Sequence, residues 1–175
     1  MSIKTRIVKD AMGHSVVVLP KIIFKNKQNI DWNTVEKYLK KYVGKTALIV
    51  ESKDIVYIGA FFPDEYKGSK YTQNLKGAYA KAKANAAQGI IEMLEIAGGK
   101  RFRENQTKKH ARNAENGWYY YTTRFAMPIY ENEIKTDNYY IYSACIVVNY
   151  SGNGKMYLYD LMDIKREAST PITIK

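Results

Sequence analysis

The fold is decided by residues 118–164, which read WYYYTTRFAMPIYENEIKTDNYYIYSACIVVNYSGNGKMYLYDLMDI. This stretch contains three runs of β-branched and aromatic residues, a composition that is typical of β-strands. A glycine-rich hairpin turn, Ser151-Gly152-Asn153-Gly154, separates the second run from the third. Because sequential hairpins make an antiparallel meander, the sequence predicts three paired strands, at 118–130, 139–150 and 155–164.

The alternation of side chains along a strand indicates which of its faces is buried. In the first run, Phe125, Met127 and Ile129 share one face, which is predicted to enter the core. Arg124 then projects from the other face in mid-strand, on the same side as Tyr120.

The chain before the meander alternates between helical and strand-like patterns. Asp31 is predicted to cap a helix, and a hairpin with strands at 46–51 and 54–59 follows it. Proline and glycine indicate a loop at 61–69. The apolar periodicity after this loop predicts a long helix over 71–97, which Gly89 can kink or split.

This order of elements predicts an α+β fold, in which an N-terminal helix and hairpin are followed by a long helix packed on an antiparallel β-meander. Residues 1–30 are interpreted as an extended lead that includes an edge strand. Residues 31–167 are expected to form a single α+β domain, and residues 168–175 a loose tail.

Positive charge is concentrated in the middle of the chain. The net charge is +11, and residues 67–112 hold eleven Lys and Arg against three Glu. A local basic field attracts polyanions, although lysine also serves simply to keep a surface soluble. The predicted nucleic-acid contacts are Lys67, Lys70, Lys76, Lys83, Lys100, Arg101, Arg103, Lys108, Arg112 and Tyr120.

Several classes of protein are excluded by composition. Cys145 is alone in an apolar run, which excludes disulfide frameworks and zinc clusters, and it is expected to be a small buried hydrophobe. Two histidines are too few for a typical metal cage. No phosphate-binding glycine motif is present, so no metal and no cofactor is predicted. With no apolar h-region at the start and no membrane-length apolar run, the protein is expected to be cytoplasmic.

The leading chemical cluster is Lys109-His110 with Arg112. Ribonucleases that work without a metal need a group that moves protons and a cation that balances the phosphorane charge. His110 is the candidate acid or base, and Lys109, Arg112 or Arg124 is the candidate cation. The alternatives are that His110 lies in a solvated loop and that Arg124 only pairs with an acidic residue.

A helix start supplies one more candidate phosphate site. Ser69 and Thr72 flank the beginning of the predicted long helix, next to Lys67 and Lys70. Helix N-termini bind anions, but the same residues also make an ordinary N-cap with flanking lysines.

The second half of the chain resembles a known superfamily. The motifs that support this are Lys109-His110, then Ala-x-x-Gly-Trp-Tyr at 114–119, the run RFAMPIY at 124–130, and YLYDLMDIKRE at 157–167. Their order is similar to that of phage and mobile-element members of the barnase/EndoU/colicin/RelE-like nucleases. It also resembles domains associated with large polyvalent phage proteins.

The resemblance covers roughly residues 55–167 and implies a helical layer on a four-stranded antiparallel sheet, with ribonuclease chemistry on the open face. By position it implies His110, Arg124 and a hydroxyl group from Ser143, Tyr157 or Tyr159 as site residues. The chain departs from two-histidine members because only one plausible histidine exists, so a tyrosine or lysine shares the work or catalysis is lost.

Two functions from different classes therefore remain open. The first is an RNA-binding, metal-independent endoribonuclease of a phage or mobile element. The second is a non-catalytic module that binds nucleic acid or an acidic protein, such as a host-defence inhibitor or a phage accessory domain.

Overall fold

The computed structural model describes residues 4–26, 28–104 and 117–175. These residues form a mixed sheet of nine strands with helices on one face. The strands are β1 Arg6–Lys9, β2 Ser15–Val18, β3 Thr46–Ile49, β4 Asp54–Tyr57, β5 Gly98–Arg103, β6 Trp118–Glu131, β7 Ile134–Tyr150, β8 Met156–Arg166 and β9 Ile172–Thr173. The fold is α+β, as the sequence predicts.

The predicted meander is confirmed at the centre of the sheet, where β6, β7 and β8 pair antiparallel in sequence order. The turn between β6 and β7 is tighter than expected. Asn132 and Glu133 both adopt the left-handed backbone conformation, with φ of 50° and 65°. Positive φ at both central residues is the conformation of the commonest two-residue hairpin turn, so β7 begins at Ile134.

The sheet as a whole is not an antiparallel meander. Its order is β1-β2-β6-β7-β8-β4-β3, and β2 pairs parallel with β6 while β4 pairs parallel with β8. The predicted edge strand therefore lies inside the sheet. Val17 and Leu19 are fully buried in the main core. At the other end of the chain, β9 pairs with β7, where the sequence suggests a loose tail.

The helices are α1 Trp32–Leu39, α2 Phe62–Gly68, α3 Lys70–Gln73, α4 Gly77–Ala86 and α5 Ile90–Ile96. Asp31 caps α1 as predicted, because its side chain accepts the Asn33 and Thr34 amides. The predicted loop at 61–69 is instead α2. Pro63 lies in the first turn of this helix, where backbone N–H groups have no partner within the helix, so the missing N–H of proline costs nothing.

The predicted long helix is broken into α3, α4 and α5. Gly77 has a φ of +62°, which is not a right-handed helical conformation, so α3 cannot continue through it and α4 begins there. At Gly89 the chain passes so close to β2 that a Cβ would lie 2.9 Å from Val17. The break at Gly89 thus lets the helical layer follow the sheet closely.

The helices cover the predicted core face of the meander. Tyr121 and Phe125 are fully buried on this face, and Met127 is nearly so. Beneath α4, Lys83 is 0% exposed, and its ammonium group bonds Asp160 of β8 at 2.6 Å and the Thr72 hydroxyl. This buried ion pair fastens two helices to the sheet.

Candidate nucleic-acid interface

The basic run Lys100-Arg101-Phe102-Arg103 forms most of β5, which pairs only with β6 among the described strands. Gly98 and Gly99 end the helical region and turn the chain into this strand. The Glu51 carboxylate accepts the Gly99 amide at 2.9 Å and so fixes the turn. As an edge strand, β5 is exposed, and Phe102 retains 54% of its surface.

Side chains alternate across β5 and put cations on both faces of the strand. Lys100 and Phe102 approach Tyr119, at 4.4 and 5.1 Å from its ring centre. Arg101 and Arg103 lie on the opposite face, where Arg103 is over Tyr120 at 5.5 Å.

An open groove of about 480 Å³ lies beside β5, and we call it the β5 groove. It is bounded by the turn between β3 and β4, the turn between β7 and β8, and the neighbouring parts of β5 and β6. The charged and aromatic residues that line the groove are three lysines, three tyrosines and one aspartate: Lys53, Asp54, Tyr57, Lys100, Tyr119, Tyr150 and Lys155.

Asp54 organises one wall of the groove. It bonds the Lys100 ammonium group at 2.9 Å and accepts the Tyr121 hydroxyl at 2.8 Å and the Ser52 hydroxyl at 2.7 Å. Partial burial raises the pKa of Asp54, but the hydrogen bonds from Ser52, Lys100 and Tyr121 outweigh it, so this pKa lies below its ordinary value. Lys100 is thus held in place.

The other wall combines cations with aromatic rings. The Lys155 ammonium group lies 5.0 Å from the centre of the Tyr57 ring, and Tyr119 lies 5.8 Å from Tyr150. Lys53 and Lys155 are exposed, and no described carboxylate pairs with either of them. Tyrosine faces can stack on nucleic-acid bases, and exposed ammonium groups bind phosphate.

Arg101 and Arg103, with Tyr120 and Thr122, form a second exposed cluster that we call the arginine row. The Arg101 guanidinium donates to the Thr122 hydroxyl at 3.4 Å and lies 3.8 Å from the Cys145 sulfur. Cys145 is buried, as predicted, and burial raises the pKa of its thiol. The row and the β5 groove meet along β5.

Arg124 does not supply a free cation. It donates from Nε and Nη2 to Glu167, at 2.8 and 2.9 Å, and from Nη1 to Asp10, at 2.8 Å. The hydrogen bonds to Glu167 are the main reason that the Arg124 pKa is raised. The proposed role in phosphate binding is therefore corrected in favour of acidic pairing, which ties β1 and the end of β8 to β6.

Lys83 is also removed from the set of nucleic-acid contacts, because it is buried and paired with Asp160. Lys67 bonds Glu36 at 2.9 Å, so its charge is balanced. Lys70 and Lys76 are exposed near the starts of α3 and α4.

The helix start at Ser69 is an ordinary N-cap rather than an open anion site. The Ser69 hydroxyl accepts a hydrogen bond from the Thr72 amide. The Thr72 hydroxyl accepts one from the Lys83 ammonium group and donates one to the Tyr66 carbonyl. Thr72 is buried, so these groups already have partners within the fold.

The two described catalytic candidates do not share a site. Arg124 is paired across the sheet with Ser143, whereas Tyr157 is paired with Asn149. Six positions along β7 separate these partners, which corresponds to roughly 20 Å at about 3.3 Å per residue. Tyr157 packs instead on the Tyr57 ring, at 5.8 Å. His110, Lys109, Lys108 and Arg112 lie outside the described residues.

No protein-family model, curated protein or solved structure matches this chain. Within residues 4–26, 28–104 and 117–175, no helix is both long and apolar enough to cross a membrane. The same residues contain no group of three or more acidic, histidine or cysteine side chains placed to hold a metal ion.

Of the seven residues singled out in the β5 groove, the sequence predicts only Lys100. No motif distinguishes the others, among them Lys53, Lys155, Tyr57 and Tyr150. They meet because β4 pairs parallel with β8 across Tyr57 and Tyr157. The one available signal was that Lys53 and Lys155 each sit at a predicted hairpin turn.

The lowered pKa of Asp54 gives a testable pH dependence. A carboxylate whose pKa is lowered by folding stabilises the fold above its unfolded pKa of about 3.9, and this contribution is lost as the pH falls through the folded value. The free energy of unfolding is therefore expected to fall more between pH 6 and pH 3, roughly, for the wild type than for Asp54→Asn. Urea titrations at several pH values across this range measure the free energy of unfolding of the wild type and of Asp54→Asn.

The matched control is Asp137→Asn, since Asp137 is exposed. It is expected to keep the wild-type pH dependence. Identical pH profiles for the wild type and Asp54→Asn would show that Asp54 makes no net stabilising interaction in its ionised form.

Proposed function

We propose that this protein binds single-stranded RNA along β5, with bases stacked in the β5 groove and phosphates held by Lys53, Lys155 and the arginine row. The observation that carries the proposal is the meeting of three lysines and three tyrosines around one open groove. Base stacking on an aromatic side chain contributes about 1–3 kcal/mol per base. Because β5 carries cations on both of its faces, an RNA chain that crosses the exposed edge of β5 can contact cations on either side.

Single-stranded RNA is favoured over a duplex because stacking on tyrosine requires unpaired bases. It is favoured over an acidic protein because carboxylates would use the lysines but leave the tyrosine faces without a matching partner. The net charge of +11 supports binding to a polyanion in general.

Cleavage of the RNA is a separate hypothesis, which rests on the resemblance to the nuclease superfamily. Of the two catalytic candidates within the described residues, Arg124 is neutralised by two carboxylates and Tyr157 lies far from it. Binding alone is therefore the proposed function.

The test compares two double variants that change net charge equally. Lys53→Gln/Lys155→Gln removes cations from the groove, and Lys9→Gln/Lys37→Gln removes exposed lysines elsewhere. We expect the first pair to weaken binding of a labelled single-stranded RNA about tenfold and to flatten the log–log salt slope by about 1.4, since each single-strand phosphate contact contributes about 0.7. Fluorescence anisotropy at several salt concentrations measures both quantities.

A tyrosine variant separates stacking from charge. Tyr57→Leu/Tyr150→Leu is expected to weaken RNA binding without changing the salt slope, because no phosphate contact is lost. Equal losses from both lysine pairs would mean that net charge alone drives binding and that the β5 groove is not the site. The same RNA, incubated with the protein in EDTA and run on a gel, tests cleavage separately.

A further inference from the structure

A second open groove lies on the same face of the sheet, at the opposite end of β6. Its volume is about 660 Å³, within the range of about 300–1,000 Å³ that small-molecule sites occupy. Tyr130, Tyr140 and Tyr142 line it together with Ile22, and Lys25 and Arg166 stand among its lining residues. We call it the tyrosine cleft.

The tyrosine cleft is separate from the β5 groove. Tyr119 borders the β5 groove and Met127 borders the cleft, and both belong to β6. They are eight residues apart along the strand, which corresponds to roughly 26 Å at about 3.3 Å per residue. The centre of this face, between the two openings, is covered by the helical layer.

The walls of the cleft are held in fixed positions. The side-chain carbonyl of Asn85 accepts the Ile23 and Phe24 amides at 2.8 and 3.1 Å, which anchors the chain around Ile22 to α4. Tyr142 stacks on Phe125 at 5.3 Å with an angle of 14° between the rings. A pre-formed aromatic wall avoids the ordering cost that binding otherwise incurs.

The charges of the cleft favour an anion. The Arg166 guanidinium lies 4.4 Å from the centre of the Tyr140 ring, a cation–π contact that holds the charge beside the aromatic wall. The neighbouring Glu167 is already bonded to Arg124, and no described carboxylate pairs with Arg166 or Lys25. Glu133 is the single acidic residue among the described residues that line the cleft.

We propose that the tyrosine cleft binds a nucleoside monophosphate, with the base against the tyrosine wall and the phosphate on Arg166 and Lys25. Arginine suits phosphate because its planar donors match two phosphate oxygens. An aromatic wall with Arg166 and Lys25 among the lining residues matches a ligand with one flat ring and one doubly charged end. An acidic peptide spreads its charges and offers no such ring at a fixed distance from them.

The same chemistry has two sources, a free nucleotide and the terminal nucleotide of an RNA chain. The proposal does not depend on RNA binding at the β5 groove. The test therefore uses the four ribonucleoside 5′-monophosphates one by one, with adenosine and ribose 5-phosphate as half-ligands. Isothermal titration calorimetry gives affinity and stoichiometry for the full chain.

We expect saturable one-to-one binding of at least one nucleotide, with each half-ligand at least about tenfold weaker. Arg166→Gln is expected to lower the affinity at least about tenfold, because a charge-assisted hydrogen bond to phosphate is lost. Lys25→Gln should give a smaller loss in the same direction. Lys37→Gln, at an exposed position on α1 that lines neither groove, is the control and should leave nucleotide affinity within about twofold.

Two further measurements decide the source and the alternatives. If the cleft takes the end of an RNA, Arg166→Gln weakens binding of a 5′-phosphorylated RNA but not of the same RNA with a 5′-hydroxyl. If it takes a free nucleotide, neither RNA is affected. Absence of saturable binding by all four nucleotides overturns the proposal, as does an acidic peptide that binds in an Arg166-dependent way when no nucleotide does.

Discussion

Replacing Lys83 with methionine is expected to lower the free energy of unfolding by about 3–5 kcal/mol, the cost of leaving one partner of a buried ion pair alone. Lys83 is 0% exposed and Asp160 is 2% exposed, so water cannot replace the lost partner. Burial raises the pKa of Asp160, with Lys83 opposing that rise. Chemical unfolding at neutral pH, followed by circular dichroism, measures the loss.

A double-mutant cycle separates the ion pair from packing. In Lys83→Met/Asp160→Leu both charges are gone, and such replacements by apolar residues are often neutral or stabilising. We expect the double variant to be more stable than Lys83→Met alone. Lys76→Met, at an exposed position, should change stability by less than about 0.5 kcal/mol. A double variant as unstable as the sum of the single variants would mean that the two charges are not energetically coupled.

The second large effect is expected at Asn85, where Asn85→Leu should cost about 2–5 kcal/mol. The side chain is fully buried and makes four hydrogen bonds to backbone groups, of Ile23, Phe24 and Lys81. Leucine has a similar size but leaves the Ile23 and Phe24 backbone groups without this partner, and an unsatisfied buried polar group costs about 1–3 kcal/mol. Urea unfolding gives the difference directly.

Asn33→Leu is the matched control, since Asn33 is exposed on α1. It is expected to change stability by less than about 0.5 kcal/mol. If Asn85→Leu proved equally mild, the segment around Phe24 would find other hydrogen-bond partners, and the anchoring role of Asn85 would be refuted.

The sequence predicts those parts of the fold that depend on local pattern. The central strands β6, β7 and β8 and the cap at Asp31 follow from alternation and capping chemistry. The parallel pairings of β2 and β4 join segments far apart in the chain, and no local pattern encodes which strand they meet. Gly89 illustrates the limit, because the helix breaks there to let Val17 approach, a contact that propensity alone does not reveal.

The same limit applies to the candidate site. Alternation correctly puts Arg124 on the outward face, but its partner Asp10 is 114 residues away. Lys83 and Lys76 look alike in the sequence, yet one is buried and the other exposed, because only Lys83 faces the buried Asp160. Charge composition predicts that the protein attracts a polyanion. Which lysines and arginines are free to bind it is seen only in the structure, which shows the cations that already pair with a carboxylate.

The parallel pairing of β2 with β6 also orders events during synthesis. Leu19 donates its amide to Ala126, and the Ile22 amide approaches the Tyr130 hydroxyl across 108 residues. A ribosome adding about 5–20 residues per second needs roughly 5–20 s to make that much chain. Throughout this interval Val16, Val17 and Val18 have no β6 to join. The nascent chain therefore exposes an apolar strand until β6 has been synthesised. We expect chaperones to bind this N-terminal segment during translation.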